Sequence, residues 1–306
     1  MLNALVRAFG GQRLGVSSIG LDGEELDAVS FLPKPRVFLQ EGSLLATAEQ
    51  CLARCEAGLV VLGGTGQATG LGEVLLARVT RAGNCLIGGA STAQGTRAVQ
   101  AALKRQGAER LLIDGAFSRQ SHALTASALI YVVGAHAAPR MEKVVEGAGL
   151  ALRRMGLPPA GPEFGFLRAV RRPGCLDKEG AFHPLMPGSA LGSAAELLSQ
   201  VPRDTKWLYL PGALDGVFVE QLVRRRGELS CGLIVRSPLS LVMADKPLSH
   251  LFRLGRELRV LTPLRLAFVA LNPVSPAGHR FDPAAFRQAM RAVTGLPLIN
   301  VLEDVP

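Results

Sequence analysis

Leu111-Leu-Ile-Asp-Gly-Ala116 runs three aliphatic residues into an acid and then into two of the smallest residues. A buried parallel strand has this form when it delivers a carboxylate to its C-terminal end, the edge at which open α/β sheets bind ligands. Asp114 is therefore the leading candidate as both a catalytic and a metal-binding residue. The chain continues Gly115-Ala-Phe-Ser-Arg-Gln-Ser-His122. Gly115 permits close backbone approach, Ser118 and Ser121 can donate to phosphate or substrate oxygens, and Arg119 offers a charged fork that makes it the second catalytic candidate. The competing role for Asp114 is to cap the next helix. Upstream, Leu14-Gly-Val-Ser-Ser-Ile-Gly20 is again a strand ending at glycine, followed by the acidic turn Asp22-Gly-Glu-Glu-Leu-Asp27. Two carboxylate-bearing strand ends suggest a magnesium and phosphate site, with a ligand among Asp22, Glu24, Glu25 and Asp27 joining Asp114, and with Gly20, Gly115 and Ser118 touching the cofactor. A solvated acidic turn is the alternative for residues 22–27. The G-x-x-x-x-G-K-[ST] loop that would cradle the phosphates occurs nowhere in the chain.

Three further motifs have a functional and a structural reading. Gly63-Gly-Thr-Gly-Gln-Ala-Thr-Gly-Leu-Gly72 reads as a glycine-rich loop after a buried strand, whose N–H groups can form an anion nest or simply make a tight connection. It is out of register with G-x-G-x-x-G, and the residues after it resemble a strand rather than the helix a pyrophosphate needs. Asn272 leaves an apolar strand in Leu271-Asn-Pro-Val-Ser-Pro276. Its amide can read a base edge, making it a cofactor-contact candidate, although local chemistry favours an Asx or Pro turn. His122 and His136 have no acid or nucleophile spaced for a triad and read as structural or surface residues.

The elements that would position these groups follow from hydrophobic periodicity. Strand-like runs alternate with helical ones, as in a largely parallel sheet covered on both faces. Strands are expected at residues 14–19, 36–39, 59–62, 75–79, 85–87, 111–113 and 129–133, and helices at 47–55, 96–106 and 140–155. Gly156-Leu-Pro-Pro stops the last of these, so residues 156–165 are the candidate boundary between a region over 1–158 and a second α/β region over 159–306, unless the two form one continuous domain. Beyond a Pro- and Gly-rich stretch, strands are expected at 207–210, 232–235, 258–261, 266–271 and 298–302, with helical patterns at 217–225 and 283–293. Met1 to Phe9 has helical spacing, with Leu2, Leu5, Val6 and Phe9 on one face.

The chain has 306 residues, enough for a full core and two lobes, since single cores stop growing at roughly 250 to 300 residues. No apolar run approaches the ~18 residues of a spanning helix and no cleavable signal is evident, so the expectation is a soluble, cytoplasmic protein without a membrane partner. Five scattered cysteines argue against a disulfide framework. Cys51 and Cys55, at i and i+4, lack the second pair that a tetrahedral metal site requires. The net charge of +9 would ordinarily suggest nucleic acid. Here the excess is mostly arginine, the one dense cluster (Arg224 to Arg226) closes a helix where cations suit the dipole, and aromatic interleaving is missing, so nucleic acid is not expected.

Taken together, Ser18-Ile-Gly-Leu-Asp-Gly-Glu24, Lys34-Pro35 with residues 42–48, Gly70-Leu-Gly-Glu73, Ile113-Asp-Gly-Ala-Phe-Ser-Arg119 and Asn272-Pro-Val-Ser-Pro276 resemble the small reactivase subunit of adenosylcobalamin-dependent lysine 5,6-aminomutase and its relatives. The resemblance implies a mostly parallel, P-loop-NTPase-like three-layer α/β sheet. It also implies a strand and a G-K-T loop ahead of a Leu-Asn-x-Leu helix; this sequence begins inside that helix and lacks the loop. The implied role is ATP- or GTP-dependent release of damaged cobamide from the mutase, together with a second ATPase subunit. Asp22 or Glu24 would then approach Mg²⁺, Asp114 would hold it through water, and Arg119 would sense phosphate or partner. Without the loop, nucleotide affinity and turnover are expected to be impaired. A non-catalytic binding subunit, a homodimer among its forms, and an enzyme acting on an anionic small molecule are the alternatives.

Overall fold

A computed structural model describes residues 1–20, 36–115, 122–186 and 188–304. The chain divides into two compact units. Unit 1 comprises residues 1–127, 270–280 and 299–306; unit 2 comprises 128–269 and 281–298. The expected boundary at residues 156–165 thus lies inside unit 2.

Unit 1 is built on a five-stranded sheet in the order β4-β5-β3-β1-β7. Its centre is parallel: β1 (Leu14–Ser18) pairs with β3 (Leu44–Ala48) on one side and β7 (Arg110–Asp114) on the other. Every residue of β1 and β3 is buried because both faces are covered. Leu14, Val16 and Leu45 meet Val6 on one face, where α1 (Leu2–Ala8) lays Leu2, Leu5 and Phe9 against the same cluster. Leu44 and Ala46 point the other way, to Val99, Ala102 and Leu103 of α3 (Ala93–Arg105). Gly15 lies beneath α3, where a Cβ would stand 2.6 Å from Leu111 Cδ2 and 3.0 Å from Ala108 Cβ. A glycine here leaves room for the Leu111 side chain and Ala108 to pack close against β1.

The sheet is not mostly parallel as expected. β4 (Gly58–Thr69) and β5 (Gly72–Arg81) form a long antiparallel hairpin, and β5 pairs antiparallel with β3. A parallel return needs a crossover of a dozen or more residues, whereas Gly70 and Leu71 alone join these strands. Residues 63–72 are accordingly not a loop. Their glycines accompany register shifts at 61/63 and 64/68, with φ of 146° at Gly63 and 72° at Gly66. The helix expected over 47–55 also gives way: residues to Ala48 complete β3, and α2 spans only Glu49–Leu52. The run Leu44-Leu-Ala-Thr-Ala48 has the form of a two-face-buried strand, and pairing on both sides overrides the local helical spacing. A two-stranded antiparallel sheet of β2 (Val37–Leu39) and β6 (Gly83–Cys85) packs on the α1 side.

Unit 2 holds a second five-stranded sheet, β10-β9-β11-β12-β13. Here β11 (Trp207–Leu210), β12 (Gly232–Val235) and β13 (Leu258–Val260) are parallel, while β9 (Gly174–Leu176) and β10 (Phe182–Pro184) extend the sheet antiparallel. Leu208 and Leu210 face the core made with α5 (Ala194–Ser199), α6 (Gly216–Arg224) and α7 (Asp245–Arg253). Trp207 and Tyr209 face Phe164 and Leu167. The two faces of one strand thus build two cores. The helix α4 (Met141–Met155) buries Val144, Ala148, Ala151, Leu152 and Met155, a stripe at helical spacing. β8 (Leu129–Gly134), β14 (Leu266–Asn272) and β15 (Leu298–Asn300) form a three-stranded sheet, β15-β14-β8, and α8 (Pro283–Arg291) starts from an Asp282 cap. The whole is mixed α/β. No helix among the described residues is long and apolar enough to cross a membrane.

Candidate functional site

Three of the residues singled out from sequence meet at the C-terminal ends of the parallel strands of unit 1. Ser18 and Asp114 are register partners, and the next residue, Ile19, donates its N–H to the Asp114 carbonyl at 2.8 Å. Gly115 sits beside it, where a Cβ would be 3.1 Å from Ile19 Cδ1. Gly20 turns the chain with φ 62° and donates to the Ala90 carbonyl at 3.2 Å. Ala90 leads into α3, whose Thr92 cap accepts the Gly95 N–H at 3.0 Å. The strand ends and the approach to α3 are therefore one local assembly. Gly89 fits it most tightly: a Cβ there would stand 1.7 Å from the Ser18 carbonyl oxygen.

The strand-end hydroxyls are held by the fold. Ser17 donates to Ala46 O at 2.9 Å and Ser18 to Ile87 O at 3.1 Å, while Thr47 donates to Leu86 O and accepts the Gly88 N–H. Asp114 differs in character. The residue is exposed, yet protein crowds its carboxyl enough to raise its pKa; desolvation is the largest cause, opposed by the N-terminal amino group and the Gly115 N–H. The proton is thus held more tightly than on an ordinary aspartate.

Asp22, Glu24, Ser118 and Arg119 lie outside the described residues. His122 is buried, with Nδ1 2.8 Å from Thr96 Oγ1 in the first turn of α3. His122 is thus structural, as its isolation in sequence suggested. Asn272 belongs to a different sheet and accepts the Val274 N–H at 3.2 Å, which is the Asx turn favoured by local chemistry. No group of three or more His, Cys, Asp and Glu able to hold a metal occurs among the described residues. One carboxylate does not make an all-protein cage, but Mg²⁺ carried on ligand phosphates commonly takes only one or two carboxylates, so Asp114 fits that narrower role.

Sequence reasoning missed the fate of the glycine-rich stretch. Glu73 accepts the Gly66 N–H at 2.7 Å, and a Cβ at Gly64 would run into the Glu73 carboxyl. The anion received by Gly66 is the protein's own, which corrects the phosphate nest suggested for residues 63–72. Also missed was a groove of about 1250 Å³ in unit 2, lined among others by Lys143, Arg153, Lys246, Arg253 and Arg265 with only Glu146 and Asp245 in opposition. These cations are spread over α4, α7 and the approach to β14, so no single sequence run announces them.

No protein-family model, curated protein or solved structure matches this chain.

Proposed function

We propose that unit 1 binds ATP or GTP with Mg²⁺ at the ends of β1 and β7, within a P-loop-like frame, and that the chain acts with an ATPase partner to reactivate an adenosylcobalamin-dependent aminomutase. The observation that supports the site is Asp114: a strand-end carboxylate in register with Ser18, beside the turn at Gly20 that adjoins the approach to α3. The Mg²⁺ would screen the phosphate charge, and Asp114 would hold it directly or through water. Because Asp114 retains its proton more strongly than usual, cation binding there competes with protonation and strengthens as the pH rises. The mutase and its cobamide enter through the sequence resemblance.

The test is titration calorimetry of Mg-ATP and Mg-GTP against the chain and its Asp114→Ala variant. The expected result is Mg²⁺-dependent binding that weakens at least ~10-fold in the variant, a loss of about 1.4 kcal/mol. No binding to the wild type, or equal binding to both, overturns the reading.

The basic groove of unit 2 favours a second reading, a non-catalytic subunit that docks an anionic partner. Lys143 is tied to Glu146 at 2.8 Å, and Arg153 lies over the Phe252 ring, 4.3 Å from its centroid. Affinity for the mutase should then fall with added salt and with Arg265→Ala while nucleotide binding stays unchanged.

A further inference from the structure

The i, i+4 relation of Cys51 and Cys55 has a plain structural cause, since the Cys55 thiol lies 3.4 Å from the Cys51 carbonyl, to which it can donate. More consequential is what stands across from Cys55. Glu56 donates its N–H to the Asn84 carbonyl at 2.8 Å, and the Asn84 amide returns a bond to the Glu56 carboxylate at 2.9 Å. A Cβ on Gly83 would be 2.7 Å from the backbone of Ala57. Ala57 thus lies against Gly83 and Glu56 against Asn84 along the outer edge of β6, and continuing in the same antiparallel sense puts Cys55 opposite Cys85. Side chains directly opposed in such a register have Cβ atoms about 4.5 to 5.5 Å apart, close to the roughly 3.5 to 4.5 Å that a disulfide spans. The two side chains are close enough to perturb each other's protonation in opposite directions.

Their surroundings are unequal. Cys85 is fully buried and packs with Val37, Leu39 and Ile87, whereas Cys55 is half-buried at the exit of α2. Arg36 reaches the same corner, donating to the Arg54 carbonyl and the Glu56 carboxylate. The pair shares its protons asymmetrically. Cys55 is drawn down to about 7, first by its side-chain interaction with Cys85 and further by a backbone hydrogen bond at Leu86 and the Arg36 charge, against the opposing effect of burial; Cys85 is pushed up by the same interaction and by burial. An accessible thiol that readily becomes thiolate, beside a buried one that keeps its proton, is the arrangement of an attacking and a resolving cysteine.

We propose that Cys55 and Cys85 form a redox-active dithiol whose oxidant is a hydroperoxide. The Cys55 thiolate attacks the distal peroxide oxygen; the S–O bond forms, the O–O bond breaks, and the alkoxide leaves as the alcohol with a proton from solvent. Cys55 is then a sulfenic acid, oxidised by two electrons. The Cys85 sulfur attacks the Cys55 sulfur, forming the S–S bond and breaking the S–O bond, and the hydroxyl leaves as water with the Cys85 proton. Two thiols and one hydroperoxide give one disulfide, one alcohol and one water. The closed pair would tie the exit of α2 to β6. Cys175 and Cys231 act as internal controls, being buried, with burial raising both thiols.

The test treats the reduced full chain with one equivalent of tert-butyl hydroperoxide, blocks remaining thiols with N-ethylmaleimide, and maps the product by intact and peptide mass. The expected product is two hydrogens lighter before alkylation, takes up three maleimides, contains a single disulfide between Cys55 and Cys85, and reverts with dithiothreitol. Cys85→Ala should halt at a sulfenic acid on Cys55 that dimedone traps. Because a change at buried Cys85 can impair folding, the wild type supplies an independent readout: Cys55 should alkylate fastest of the five, with a rate midpoint near pH 7. A disulfide between any other pair, a stable sulfenic acid in the wild type, unoxidised thiols, or equal alkylation of Cys55 and Cys175 overturns the proposal.

Discussion

Ser18 and Asp114 close the pairing of β1 with β7, and the bond from Ile19 N–H to the Asp114 carbonyl carries the contact one residue past the strands. This fixes the Asp114 backbone while its side chain remains at the sheet edge. Desolvation raises its pKa above the ordinary 3.8, so from that value upward the folded chain retains a proton that the unfolded chain has already lost. With more protons bound in the native state, stability falls as pH rises through this window and is fully present below it. Asp114→Asn should remove this decline, seen as a urea midpoint that no longer drops with pH relative to wild type. Parallel pH profiles for the two proteins would show that the carboxyl is not desolvated.

The approach to α3 depends on a glycine for a different reason. Gly89→Ala would bring a methyl within 1.7 Å of the Ser18 carbonyl oxygen, a backbone atom already fixed in the sheet. Neither partner is a flexible side-chain end, so the segment 88–90 must move. Overpacking of this kind costs about 1 to 3 kcal/mol, and a denaturant melt of Gly89→Ala should show a loss at or above the upper end. The same variant should weaken nucleotide binding if the strand-end site is used.

In unit 2, Tyr209 is fully buried and its hydroxyl donates to Leu167 O at 2.9 Å, with Val170 O at 3.2 Å. Arg236 also donates to Val170 O at 2.8 Å, so the hydroxyl and the guanidinium together hold the turn over residues 162–170 against the sheet. Tyr209→Phe keeps the ring packing against Phe182 and leaves the Leu167 carbonyl without this donor. The expected loss is roughly 1 to 2 kcal/mol, measured by urea unfolding. A neutral result would mean that Arg236 alone holds the turn.

Strands β1, β7, β11, β12 and β13 were legible in the sequence as short apolar runs, such as Leu111 to Ile113 and Leu233 to Val235. Asp114, Gly20 and Gly115 were legible as a strand-end group for the same reason. The antiparallel pairing was not, although strands at 36–39, 59–62 and 75–79 were expected and fall within β2, β4 and β5. β4 carries Gly63, Gly64 and Gly66 within its length, and only the long-range pairing with β5 makes such a stretch extended. β3 was hidden because Thr47 to Cys55 has a helical spacing that sheet pairing overrides up to Ala48. The Cys55 and Cys85 pair is 30 residues apart in sequence and depends on the register of Glu56 with Asn84, which composition and spacing do not encode.

The hairpin supplies the last prediction. Glu73 reaches across β4 to take the Gly66 N–H at 2.7 Å, while Thr65 donates to the Val74 carbonyl at 2.7 Å and Thr69 to that of Gly72 at 2.8 Å. These three bonds stand in for the ladder that the bulges interrupt. Glu73→Ala removes the anion from the bulge and should cost about 1 kcal/mol, modest because the bond is exposed. Its sharper signature is local: Gly66 amide exchange should accelerate in the variant while that of Ala46, in the parallel centre, stays slow. If Gly66 remains protected, the bulge holds its N–H by backbone geometry alone and Glu73 is incidental. If the variant instead gains affinity for inorganic phosphate, the glycine-rich strand is an anion nest whose resident carboxylate has been displaced.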